Sequence, residues 1–153
     1  MTLRQRLKAE ITTAMRSGDA LRRDTLRMAE NAIYNAEKRD RREYGDDEVT
    51  AVIAHEVKTR RESVEAFRAG GREDLATKEE REIEMLSAFL PTPLTDDELA
   101  RLVDEAIATT GAAGPRDLGK AMAWLAPRTR GRADGRRVSE VVGRRLGSGG
   151  AGW

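Results

Sequence analysis

Leu-Pro-Thr-Pro-Leu at 90–94 constrains this chain more than any other stretch. Pro91 and Pro93 have no amide hydrogen to give to a helix, and each pushes the residue before it out of the helical region. No helix crosses this segment, so the 153 residues must organise as one part before it and another after it. The expected division is an N-terminal helical domain over 1–90, a proline hinge over 91–94, a C-terminal three-helix domain over 95–147 and a flexible tail over 148–153.

Both parts read as helix. Thr2 and Gln5 make a capping-box pattern, and Leu3, Leu7, Ile11 and Met15 follow at helical spacing until Gly18. Asp19 caps a second helix whose stripe of Leu21, Thr25, Met28, Ala32 and Ala36 is widened by Leu26, Ala29 and Ile33. A stripe that wide implies helices on two sides, or one side and a second copy of the chain. Gly45 ends it, and Asp46 or Asp47 caps a third helix with Val49, Val52, Ile53, Val57, Val64 and Phe67 inward and Arg60 as a gap in the row. Ala-Gly-Gly at 69–71 stops that helix. A fourth begins near 72–74, buries Leu75, Ile83, Leu86 and Leu90, and turns Lys-Glu-Glu-Arg-Glu-Ile-Glu to solvent.

After the prolines, Thr95 and Glu98 form a second capping box ahead of Leu99, Leu102, Val103, Ala106 and Ile107. Thr-Thr-Gly-Ala-Ala-Gly at 109–114 is a flexible joint, and Pro115 opens a helix lined by Leu118, Met122 and Leu125 that Pro127 stops. The last helix starts near Asp134 and carries Val138, Val141, Val142 and Leu146. No run alternates with period two, so the fold class is all-α: a four-helix bundle-like domain and a small three-helix domain.

The composition removes several functions. Without cysteine there is no disulfide and no thiol nucleophile, and the chain suits a reducing cytoplasm. One histidine, His55, cannot build a histidine-rich metal site; the zinc pattern after His55-Glu56 fails because Thr59 stands where the second histidine belongs. No serine sits in a nucleophile elbow, and Ser63 reads as a surface serine. No phosphate-binding glycine loop, membrane-spanning run or apolar signal-peptide core is present. No cofactor and no catalytic residue is expected.

Charge is uneven. Residues 1–90 carry 18 basic and 19 acidic side chains, 91–114 carry 1 and 5, and 115–153 carry 9 and 3, a net of +6 at one end of a chain whose total is +1. The excess centres on Pro127–Val142, where Arg128, Arg130, Arg132, Arg136 and Arg137 fall within ten residues, interrupted by Asp134 alone. Lys120 lies on the preceding helix. Arginine forks beside a helix N-terminus, with Asp134 as its cap and Gly131 and Gly135 loosening the turn, are suited to phosphates. Lys120, Arg128, Arg130, Arg132, Arg136 and Arg137 are therefore the candidate RNA-binding residues. The competing reading is a protein adaptor whose basic end docks an acidic partner.

Arg-Arg-x-Ser at 60–63 with Phe67, Gly-Arg-x-Asp at 71–74, Leu-Pro at 90–91, Gly-Lys-x-Met at 119–122 and Gly-Arg-Ala-Asp-Gly at 131–135 occur together and in this order. In this combination, over about residues 2–147, the chain resembles the GatB/YqeY family of small helical proteins. The resemblance implies a helical N-terminal bundle and a smaller three-helix unit related to the tail of the B subunit of the glutamine-dependent Asp-tRNA/Glu-tRNA amidotransferase, where the tail helps hold tRNA. A similar module is appended to some glutaminyl-tRNA synthetases. It implies tRNA or other RNA as partner, with an amidotransferase or an aminoacyl-tRNA synthetase as a possible protein partner. The family label is carbon–nitrogen ligase with glutamine as amido-N-donor. This chain has no counterpart of the ATP-binding cradle or the Ser/Lys amidase, so the label implies no catalytic residue here.

Overall fold

A computed structural model describes residues 1–150, with side-chain surroundings to Gly147. It contains seven α-helices and no strand among the described residues. They are α1 Leu3–Ser17, α2 Ala20–Asp40, α3 Asp46–Ala69, α4 Glu73–Ser87, α5 Asp96–Thr110, α6 Leu118–Thr129 and α7 Gly135–Gly150, with a 3-10 turn at Pro115–Asp117 before α6. Two compact units result, Met1–Pro91 and Thr92–Trp153.

In the first unit, α2 packs on α1, α3 and α4, while α3 and α4 form the most extensive pair. The wide stripe of α2 is thus filled from within the unit. Leu7, Leu26, Ile33, Ile53, Val57 and Leu86 form the core, closed by Phe89. The Thr2 and Asp19 caps and the left-handed Gly18 stand as the sequence predicts.

Several expectations fail for identifiable reasons. Met15 and Met28 are about half exposed, at 52% and 54%, because Ala14 and Ala29 turn inward beside them. Helix α2 stops at Asp40, five residues before Gly45, where Arg41 turns left-handed at φ 57°. Neither Asp46 nor Asp47 caps α3: Gly45 does, and the Asp46 carboxylate instead accepts a hydrogen bond from the Leu3 amide at 3.0 Å, tying the starts of α3 and α1. Arg60 is no gap in the buried row; its side chain is 6% exposed and donates to Glu82, itself drawn in from the supposedly solvated face of α4.

In the second unit Leu94, Leu99, Val103, Ala121, Leu125, Val138, Val142 and Leu146 make a separate core. The Thr95 capping box forms as expected, its hydroxyl accepting from the Glu98 amide at 3.1 Å. Residues 109–114 are held rather than loose: Ala112 is buried and the Ala113 amide donates to Asp117 at 2.8 Å. Pro127 does not stop α6. It lies inside the last turn and the helix runs on to Thr129, because one missing amide near a helix end removes a single bond and the amide of Arg130 still reaches Ala126 O at 3.2 Å. Of the tail proposed over 148–153, α7 takes in the stretch to Gly150, and 151–153 lie outside the described residues. Among the described residues no helix is long and apolar enough to cross a membrane.

Candidate nucleic-acid interface

The turn from α6 to α7 is built by Thr129 and Gly131. Thr129 is buried, its hydroxyl donating to Leu125 O at 3.1 Å, and its carbonyl accepts the amides of Arg132 and Ala133 at 2.9 and 3.0 Å. Gly131 adopts φ 73°, a left-handed conformation that side-chain-bearing residues enter at a cost. Asp134 then caps α7 by accepting from the Arg136 amide at 3.1 Å.

The cap changes what this helix end can do. The carboxylate of Asp134 already occupies part of the region where a phosphate would meet free amides. Anion attraction at this turn therefore rests on side-chain charge more than on helix-end amides.

The predicted cations separate into two sets. Arg132 and Arg137 are structural fasteners. Arg132 Nε donates to Thr92 O at 2.8 Å, its own carbonyl accepts the Leu94 amide at 2.8 Å, and its guanidinium lies 3.7 Å from Glu98. Arg137 donates to Leu94 O at 3.0 Å and to Asp96 at 2.6 Å. Together they pin the segment after the prolines onto the α6–α7 turn.

The other set faces water. Lys120, Arg128, Arg130 and Arg136 are exposed, and among the described residues none makes an ion pair. No acid occurs between Asp117 and Asp134. On α6 the successive i, i+4 spacing puts Lys120, Trp124 and Arg128 on one face. The Arg128 guanidinium carbon sits 3.7 Å from the Trp124 ring centroid, and Nη1 donates to Trp124 O at 2.6 Å. Charge clustering points to Arg128 but not to Trp124, although the i, i+4 spacing of the two residues is the signal of the stack.

Glu98 shows the electrostatics of the region. Its carboxyl is held below the usual glutamate range, first by the Thr95 amide and hydroxyl and to a lesser degree by Arg132. A depressed carboxyl stabilises the fold above its unfolded pKa, and that contribution disappears as pH falls through the folded value. Thermal unfolding of the wild type should therefore lose this increment below about pH 4, whereas Glu98→Gln should show a flatter acid limb. Coincident pH profiles for the two proteins would contradict the assignment.

Two other features are weaker. His55 stands exposed on α3, and the described residues hold no group of three or more metal-binding side chains. An open groove beside α5 and α7 is lined by Asp96, Leu99, Ala100, Val141, Arg144 and Arg145, but Asp96 is bonded to Arg137 and Arg145 to Asp104.

Comparison with known proteins places the chain among YqeY-like sequences. A family profile described as Yqey-like protein matches residues 4–146. The "Altered inheritance of mitochondria protein 41, mitochondrial" of Pyrenophora tritici-repentis is 30% identical over 146 residues, covering 90% of this chain and 80% of that protein. An uncharacterized protein of Schizosaccharomyces pombe is 32% identical over 85 residues, 56% of this chain and 69% of its own length.

Proposed function

We infer that this chain, which belongs to the YqeY-like protein family, works as an accessory RNA-binding protein rather than as a self-contained enzyme. Its second unit would grip the phosphates of tRNA or a similarly folded RNA. One observation carries the reading: a stretch of 16 residues without an acid, 118–133, bears exposed Lys120, Arg128 and Arg130 that have no ion pair among the described residues, and Arg136 stands just beyond it. Arg130 and Arg136 need break no internal side-chain bond to engage a phosphate, so their attraction is available to a ligand.

The resemblance to the amidotransferase B-subunit tail supports tRNA over other RNAs and suggests an amidotransferase or aminoacyl-tRNA synthetase as companion. A cytoplasmic role in translation is the setting proposed for this chain; the Pyrenophora relative is named as mitochondrial.

The test is gel retardation of bulk tRNA with the variant Lys120→Ala/Arg130→Ala/Arg136→Ala. Arg132 and Arg137 stay in place because they hold the fold. Each lost phosphate contact also removes about 0.7–0.9 from the slope of log affinity against log salt. The expected result is a loss of at least tenfold at about 0.1 M salt with an unchanged helical circular-dichroism signal. Equal tRNA affinity in wild type and variant would overturn the reading. Capture of an acidic protein that survives nuclease and depends on the same three residues would favour the adaptor instead.

A further inference from the structure

We propose that the Arg128–Trp124 stack is a seat for one unpaired nucleobase, so that the second unit distinguishes RNA with exposed bases from uninterrupted duplex. The inference rests on the RNA-binding reading above and goes beyond it, because phosphate grip alone carries no preference for unpaired bases.

The geometry supports a planar platform. A guanidinium 3.7 Å from an indole centroid is at stacking distance, and the 2.6 Å bond from Arg128 to Trp124 O restrains the side chain in that pose. Arg128 is exposed while Trp124 is half-buried, part of the indole packing against the core beneath α6. One face of the guanidinium is therefore covered by the ring and the other is open to water. An open guanidinium face is flat, weakly hydrated and cationic, which suits the π-face of a base. Bases in single strands and loops reach such surfaces, whereas bases stacked within a helix do not.

The surroundings fit a strand. Lys120 lies one helical turn before Trp124, Arg130 follows Arg128 by two residues, and both are exposed. The intervening outward residues, Ala123, Ala126 and Pro127, are small and present no bulk between the stack and an approaching backbone. Arg128 would thus meet the base while its neighbours meet phosphates.

The experiment uses the full chain carrying Trp153→Phe, so that Trp124 is the sole indole reporter. Two probes are compared: a short single-stranded oligoribonucleotide, and the blunt duplex it forms with its complement. Arg128→Lys keeps the charge and removes the plane; Trp124→Leu removes the ring. Gel retardation reads affinity in every variant, and in the parent the single strand should also quench Trp124 emission. Single-strand affinity should fall on the order of tenfold in each variant, and by clearly more than the duplex affinity of the same variant. The proposal is overturned if Arg128→Lys binds the single strand as tightly as the parent, or if both probes weaken to the same degree. Failure of the parent protein to bind either probe while it still retards tRNA removes the base seat alone; failure to retard tRNA as well overturns the RNA-binding reading with it. Binding of both probes without discrimination leaves that reading standing and removes only the base seat.

Discussion

Replacing Arg60 with alanine is expected to lower the unfolding free energy of the first unit by about 3–5 kcal/mol. The reason is what the substitution leaves behind. Arg60 Nε donates to Glu82 at 3.2 Å, and Nη1 donates to the Glu56 carboxylate at 2.9 Å and the Glu56 carbonyl at 3.1 Å. The Arg60 and Glu82 side chains are only 6% and 10% exposed. Without the guanidinium, the Glu82 carboxylate stays buried with no cation against it. Glu79 adds to the strain on that site: its carboxyl is held above the usual range by burial and then by the charge of Glu82.

A unit of roughly ninety residues has a total stability of about 5–14 kcal/mol, so this loss would consume a large part of it. Urea unfolding followed by circular dichroism measures the effect. Arg60→Lys should fall between wild type and alanine, since an ammonium cannot bridge two carboxylates with a planar fork. The double change Arg60→Leu/Glu82→Leu should recover most of the loss, because an apolar pair in place of a buried ion pair is often neutral. A cost below about 1 kcal/mol for Arg60→Ala would mean the pair is effectively solvated, as exposed pairs are.

The second large effect lies behind the proposed interface. Leu125→Ala should cost about 2–5 kcal/mol. Leu125 is fully buried on the inner side of α6 and packs with Val103, Ala121 and Val142. The second unit has roughly sixty residues and so about 3–9 kcal/mol in all. The substitution should therefore remove a large share of this unit's stability, and RNA affinity should weaken with it although every cation remains. Urea titration monitored by Trp124 emission, with Trp153→Phe as background, reads the stability; retardation of tRNA reads the function. A Leu125→Ala protein that unfolds normally and binds RNA as wild type would show that α6 does not carry the interface.

The contrast between these two positions explains what the sequence disclosed. Leu125 is legible because it belongs to a helical apolar row; such rows disclose seven helices, and the Thr2/Gln5 and Thr95/Glu98 pairs disclose two of their caps. Arg60 was not legible. Its partner Glu82 lies 22 residues away on another helix, so its burial depends on a tertiary contact that no local pattern encodes. The same limit governs the candidate site. Composition pointed to the 128–137 arginines, but it could not separate Arg132 and Arg137, which bind carbonyls and acids some 40 residues upstream, from Arg130 and Arg136, which face water. Pro127 failed as a stop signal for a related reason: the rule concerns helix interiors, and this proline sits in a final turn.

The bonds from Arg132 and Arg137 to Thr92 and Leu94 have a mechanical consequence. They work as a non-covalent staple, joining the entrance of the second unit to a point 40 residues further along its contour. Tension applied at Thr92 reaches the α6–α7 corner directly through Arg132, and the first turn of α5 is tied to the same corner through Asp96 and Glu98. Arg132→Ala would therefore loosen the corner and the entrance of the unit together.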